Sequence, residues 1–421
     1  MTNETAPLKV TIVGAGLGGL AAGLALRPFC EVTILESTAF LGEIGAAVHL
    51  GPNAHRILKK YGADLIGHGA VPCRSFQEWR ARDDKLMMAF EHDPLAQVGI
   101  EWALCHRADL QQELYDLAIS TTGEGIPCKI IFNTSVVSCD ADNATVTTAD
   151  GTVYQSDVVV GADGIKSAVR PSVIGDTHFR AVPSGHSAYR GLLKAEHINA
   201  NPELKEMGLL NGRLLIVDGG DHRLVCYPTR NQTLLNYVAI LPDTGLHELS
   251  EEKWSARGDV ASLVKSFSKF PQRFQDLLSL TETCGLWQLR DQDPLDKWVK
   301  GRTIIIGDAA HAMLPHQGQG ASQAIEDGEA LSAFLRGVSA ADVPKALDHV
   351  FNVRYRRATY AQEISRGAGL GEMRKKYVAK LGQPEEDMDA PLNPSQHQKF
   401  VWGYFGAAEW EKTKPDWVIT E

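Results

Sequence analysis

Three short stretches of this chain combine residue types and spacings that can do chemistry. Residues 14–19 read GAGLGG, residues 161–170 read GADGIKSAVR, and residues 307–320 read GDAAHAMLPHQGQG. In the first, Gly14 permits a tight turn, Gly16 lets the backbone approach a pyrophosphate, and Gly19 allows a helix to pack closely on a strand. Leu17 opens that helix, whose unpaired N–H groups favour an anion. Glu36 follows at the distance where an acid accepts hydrogen bonds from adenosine ribose hydroxyls. A tight structural turn is the bland alternative, but strand, glycines, helix and acid in register favour a dinucleotide. The third stretch is a second glycine-rich segment carrying Asp308, His311, Pro315, His316, Gly318 and Gly320. Two such segments in one chain point to grips on different parts of one long cofactor. Asp308, after the apolar run TIIIG, also reads as a helix N-cap.

Further candidates stand between these stretches. Residues 42–62, GEIGAAVHLGPNAHRILKKYG, open with small residues, Ala47 among them, so a bare backbone can lie against an extended ligand. Arg107 begins the helical segment HRADLQQELYDLA, where a guanidinium can reach a phosphate or make a surface ion pair. Asp163 and Arg170 belong to the second stretch; their plain readings are a turn acid and a solvated cation.

The three stretches, in this order and spacing, resemble the fingerprints of the single-component FAD-dependent aromatic hydroxylases, the group A flavoprotein monooxygenases. EIGAAVHLGPNA, SAYRGLL and GDAAHAMLPHQG are similar in wording to the salicylate hydroxylase branch. The resemblance covers Lys9 to about Leu370. It implies non-covalent FAD held by Gly14, Gly16, Leu17, Gly19, Glu36, Ala47, Arg107, Asp163, Asp308, Gly318, Gly320 and Ala321, with Asp308 on the ribityl hydroxyls. Asp163 and Arg170 also belong to the motif that the family links to reduced pyridine nucleotide. Pro315 to Gly320 would pass beside the isoalloxazine ring. NADH or NADPH would reduce the flavin, and O2 would form a C4a-hydroperoxide that a small aromatic substrate attacks. A carboxylate on the attacked carbon would leave as CO2 and give a catechol.

Catalysis is expected from His316, Tyr227, His49 and Pro315. An imidazole at position 316 can accept a phenolic proton or orient a carboxylate. Tyr227 and Arg190 join His316 as expected substrate contacts, and His311 reads as a structural partner of its loop. Related hydroxylases of heteroaromatic acids or polyketide phenols differ only in such pocket residues. A flavin oxidase or dehydrogenase, or a non-enzymatic nucleotide-binding protein, are the remaining alternatives.

The elements that must position these residues follow from periodicity. Val10–Val13, a glycine turn, an Ala/Leu-rich helix and Val32–Leu35 form a βαβ unit. The fold class is therefore α/β, and the resemblance implies a Rossmann-like FAD-binding domain with an inserted antiparallel sheet and a helical C-terminal region. The expected FAD-binding domain takes residues 1–75, 100–175 and 285–370. The substrate domain takes 76–99 and 176–284, where RLLIVDG, RLVCYPTR and LLNYVAIL alternate as strands over the flavin. Residues 371–421 make an aromatic-rich tail that covers a face or a dimer contact.

Composition agrees with a large core: 421 residues, 44% hydrophobic. A net charge of −10 disfavours nucleic acid and anionic membranes. The seven scattered cysteines contain no C-x-x-C, so neither a metal site nor a disulfide framework is expected. No apolar run reaches membrane-spanning length. The expectation is a cytoplasmic monomer or homodimer.

Overall fold

The computed structural model describes residues 6–39, 47–243, 255–370 and 400–413. Parts of two expectations, the loop 42–46 and most of the tail, lie outside them.

A six-stranded sheet forms the first half of the architecture. Its order is Val299–Lys300, Thr303–Ile305, Val158–Gly161, Leu8–Val13, Cys30–Leu35 and Lys129–Ile131. All pairs are parallel except the first. Leu8–Val13 is buried at five of its six positions, as a β-branched strand covered on both faces must be. Register brings Val13 beside both Leu35 and Gly161, and Gly161 beside Ile305. The carboxyl ends of three adjacent strands thus lie side by side, and each of the three motifs begins where one of those strands stops. Ligands of open parallel sheets bind at this edge.

Close packing behind the first turn depends on a missing side chain. A Cβ on Gly19 would stand 2.0 Å from the Gly14 carbonyl oxygen, which has no room to move. The helix that follows, Leu17–Leu26, packs on Gly320–Leu335, the helix that follows the third motif.

An eight-stranded sheet makes the second half, in the order Ser255–Gly258, Cys284–Asp291, Val182–Lys194, Leu234–Pro242, Arg223–Thr229, Arg213–Asp218, Ser75–Arg80 and Lys85–Glu91. It is antiparallel except where Arg213–Asp218 runs parallel to Ser75–Arg80. Cys284–Asp291 continues this sheet seven residues beyond the boundary expected at 284. Alternation sorts its residues onto two faces. Leu224, Cys226, Leu235, Tyr237, Ala239 and Leu241 pack into a core with Phe267 and Phe274. Arg223, Val225, Tyr227, Asn236, Val238 and Ile240 face the opposite way, into a cavity.

The long helix Val343–Gly367 closes the first half through buried charges. Arg354 donates to Glu326 (2.5 Å), Asp327 (2.9 Å) and the Gln323 side chain (2.8 Å). Arg357 donates to both Glu326 oxygens and to the Phe400 carbonyl, tying down residues 400–413. Ala407 N donates to Glu329, and Arg56 donates to the carbonyls of Trp402 and Tyr404. The described part of the aromatic tail therefore covers a face of its own chain, with Phe400, Tyr404 and Trp410 buried.

All seven cysteines are free thiols. Among the described residues no acid, His and Cys cluster could hold a metal, and no helix is long and apolar enough to cross a membrane.

Candidate active site

A cavity of about 970 Å³ runs between the two sheets. Its lining includes Gly16, Leu17, Ala47, His49, Arg107, Arg190, Tyr227, Asp308, Pro315, His316, Gly318, Gly320 and Ala321, thirteen of the residues singled out from sequence. The parallel-sheet edge supplies one end, and the Tyr227 face of the large sheet supplies the other.

The first end suits an extended anionic ligand. Gly16 caps the helix Leu17–Leu26 with no side-chain hydrogen bond, leaving first-turn amides unclaimed by a cap. A Cβ on Gly16 would meet nothing within 4 Å, so the backbone stands open to the cavity. Arg107 is the first residue of the helix Arg107–Ile119 beside it. Asp308 does not cap its own short helix, because Gly307 holds the N-cap position without a side-chain bond. The exposed Asp308 carboxylate instead lines the cavity, available to hydroxyl donors. An open glycine cradle with amide donors for a pyrophosphate, and an acid facing the same cavity that accepts from hydroxyls, fit what FAD requires.

Six residues singled out from sequence lie behind this wall. Gly14 takes the left-handed turn (φ +100°) under Ala162, and Gly19 packs against it. Glu36 accepts from Ala15 N at 2.8 Å and from Thr38 N at 2.8 Å. Burial raises the cost of its charge, but bonds from Thr38 and Ala15 outweigh that and hold the carboxyl below its ordinary value. Asp163 accepts from Ser167 Oγ (2.6 Å), Ala168 N (2.7 Å) and Val169 N (3.2 Å), fastening the second motif as a turn. Burial pushes its carboxyl up despite these bonds. Arg170 is likewise buried, not solvated, and donates to Gln292, the Ala309 carbonyl and the Ile165 carbonyl. It braces the second motif against the third. His311 is buried 2.7 Å from Asp327, whose carboxylate also accepts from Gly307 N, so its partner is an acid on the next helix.

The second end is apolar with a few polar groups. Trp102 donates its indole N–H to His49 Nδ1 at 3.1 Å, which places the proton of a neutral His49 on Nε2. The His49 ring meets Trp102 and Tyr227 edge-on at 5.5 and 5.9 Å. Gly318, at φ +60°, makes room for it: a Cβ there would lie 2.0 Å from His49 Nε2. Burial pushes the Tyr227 hydroxyl above its ordinary range, so it remains a donor at neutral pH. His316 Nδ1 lies 3.4 Å from Arg223 Nη1. Burial first, then the Arg223 charge and then His186, hold the imidazole well below its usual 6.5. Of the two roles expected for His316, taking a proton is opposed here and orienting an oxygen is favoured.

Arg223 was missed, although it opens the strand RLVCYPTR; so were Trp102, Asn236, Val401 and Trp402, which also line the cavity. Period-2 alternation could have found Arg223 and Asn236 on the Tyr227 face. Nothing local marks the two tail residues.

Comparison with known proteins follows the same lines. Residues 7–359 match the family model described as FAD binding domain. The chain is 34% identical over 386 residues to a hispidin-3-hydroxylase of Neonothopanus nambi, covering 88% of this chain and 91% of that one. It is 31% identical over 399 residues to a salicylate hydroxylase of Pseudomonas putida, covering 90% and 89%. Among solved structures, a salicylate hydroxylase substrate complex superposes with a TM-score of 0.73 at 27% identity, covering 94% of this chain and 98% of that one.

Proposed function

Because the chain belongs to the FAD-binding domain family, among FAD-dependent monooxygenases, we propose that it hydroxylates a small phenolic or aromatic-acid ring, using O2 and NADH or NADPH. The reading is salicylate-like, with loss of CO2 where the hydroxylated carbon carries a carboxylate. One observation carries it: a single cavity joins the glycine cradle and Asp308 to an apolar end set with Tyr227, His49 and His316.

Gly16, Leu17, Arg107, Asp308, Gly320 and Ala321 would hold FAD, which when bound supplies the electron storage and oxygen activation that side chains lack. The chain's own part is positioning. Tyr227 and the histidines orient the ring's oxygen, Val225, Val238 and Ile240 exclude water, and Pro315 shapes the turn beside the reacting end. Arg190 lines the same wall, with its guanidinium 5.6 Å from the Trp287 ring.

The purified protein should be yellow, and denaturation should release intact FAD. A panel of salicylate, hydroxynicotinate-type acids and polyketide-type phenols, read by NADH and NADPH oxidation with product analysis, tests the chemistry. Catechol from salicylate supports the reading. Substrate-independent oxidation without oxygen insertion would defeat it and leave an oxidase. Asp308→Ala should weaken FAD binding by about 1.5–3 kcal/mol, the worth of hydrogen bonds to a charged group. Equilibrium dialysis of the flavin measures this, and an unchanged Kd would remove Asp308 from the cofactor site.

A further inference from the structure

We propose that Arg223 is a positioning residue that fixes His316 as a neutral Nε2–H donor, so that the cavity takes an aromatic ligand by an acceptor oxygen, a carboxylate or phenolate. The inference rests on the proposed aromatic substrate but not on any turnover.

The geometry is one-directional. A guanidinium has five N–H donors and no acceptor, so its contact with His316 requires a bare nitrogen at Nδ1. The remaining proton then sits on Nε2, which has no hydrogen-bond partner among the described residues while His316 lines the cavity. Arg223 cannot swing away. Its Nη2 donates to Asp218 at 2.6 Å and its Nη1 to the Ala368 carbonyl at 2.5 Å, and the residue is 6% exposed. Three elements meet on this side chain: its own strand, the strand Arg213–Asp218, and the end of the helix Val343–Gly367.

The charged and titratable groups that face His316 are Arg223 and His186, with Asp218 behind the guanidinium. Arg223 and His186 both oppose an imidazolium, and the one nearby acid is engaged by Arg223. His49 adds a second ring whose Nδ1 is occupied, by Trp102. The His316 imidazole and the Tyr227 hydroxyl thus line one wall as donors. An arriving phenol that loses its proton does not hand it to His316.

The test reads the imidazole directly. In the holoenzyme labelled with 15N-histidine, His316 (assigned with His316→Ala) should show an unprotonated Nδ1 and a protonated Nε2. It should not titrate at the ordinary imidazole midpoint of 6.5. In Arg223→Gln its midpoint should rise toward 6.5, and Arg223→Lys should restore the depressed value. A protonated Nδ1 in the wild type, an ordinary midpoint there, or no change in Arg223→Gln would overturn the proposal. If Arg223→Gln does not fold, the wild-type spectrum alone decides. Ligand class is read by perturbation of the flavin spectrum: benzoate should bind at least tenfold tighter than aniline, and His316→Ala should erase that preference. Equal binding would overturn the acceptor-oxygen half. Failure to turn over any aromatic would instead sink the proposed function, while leaving the nitrogen spectrum to be read.

Discussion

Replacing Arg354 by methionine is expected to destabilise the fold by about 3–5 kcal/mol, the usual result of removing one partner from a buried ion network. Arg354 is fully buried, and burial opposes its charge, but Glu326 and Asp327 keep the guanidinium firmly protonated. Methionine fills part of the space and answers neither acid. Glu326 would keep Arg357 and Asn53; Asp327 would keep His311 and Gly307 N. Denaturant unfolding should show a lower midpoint at unchanged slope. The exposed neighbour Arg356, changed the same way, should stay within about 0.5 kcal/mol. A loss below about 1 kcal/mol in Arg354→Met would show that the network does not hold the helices. The pH dependence has a definite sign. Burial pushes both carboxyls up, but Arg357 and Arg354 pull Glu326, and His311 and Arg354 pull Asp327, below their ordinary 4.5 and 3.8. Their contribution is full above about pH 5 and is lost as the pH falls through the depressed values. With Arg354 gone those values rise, so acid unfolding should begin at higher pH.

His316→Ala is expected to keep fold and flavin and to lose roughly 10- to 150-fold in kcat/KM for hydroxylation, the rate equivalent of a hydrogen bond to a charged oxygen, about 1.5–3 kcal/mol. Flavin reduction should suffer less, because it does not require the ring oxygen to be oriented. Since His316 is held neutral, its removal should scale the whole pH profile near neutrality and leave its limbs where they are. A limb near 6.5 that vanishes in the variant would restore the imidazole as a proton acceptor. Near-wild-type rate and coupling would remove His316 from the site.

Much of the fold was legible because its signals are local. The glycine turn, the β-branched strand and the acid at position 36 fall within one βαβ unit, and TIIIGD puts a strand end beside an acid in six residues. The meeting of the three motifs was legible as well, since parallel strands place their carboxyl ends at one edge. Function and scaffold were harder to separate. Asp163 and Glu36 read as ligands by position, and the same oxygens also accept from the turns that shape the cradle. Arg170 looks solvated in sequence and is a buried brace. The Arg223–His316 contact spans 93 residues and joins the large sheet to the turn Pro315–Gln317, so no local pattern contains it. The same holds for Ser75–Arg80, which joins the large sheet through a strand that begins at Arg213.

Val401 and Trp402 form part of the cavity wall, and Gly16 forms the opposite end of the same cavity. A ribosome working at roughly 5–20 residues per second needs about 20–80 s to travel from one to the other. For that whole interval the wall that will enclose a ligand does not yet exist. A cofactor meeting the chain early would find an open bench. One arriving after Arg357 has drawn in the Phe400 carbonyl meets a wall already built.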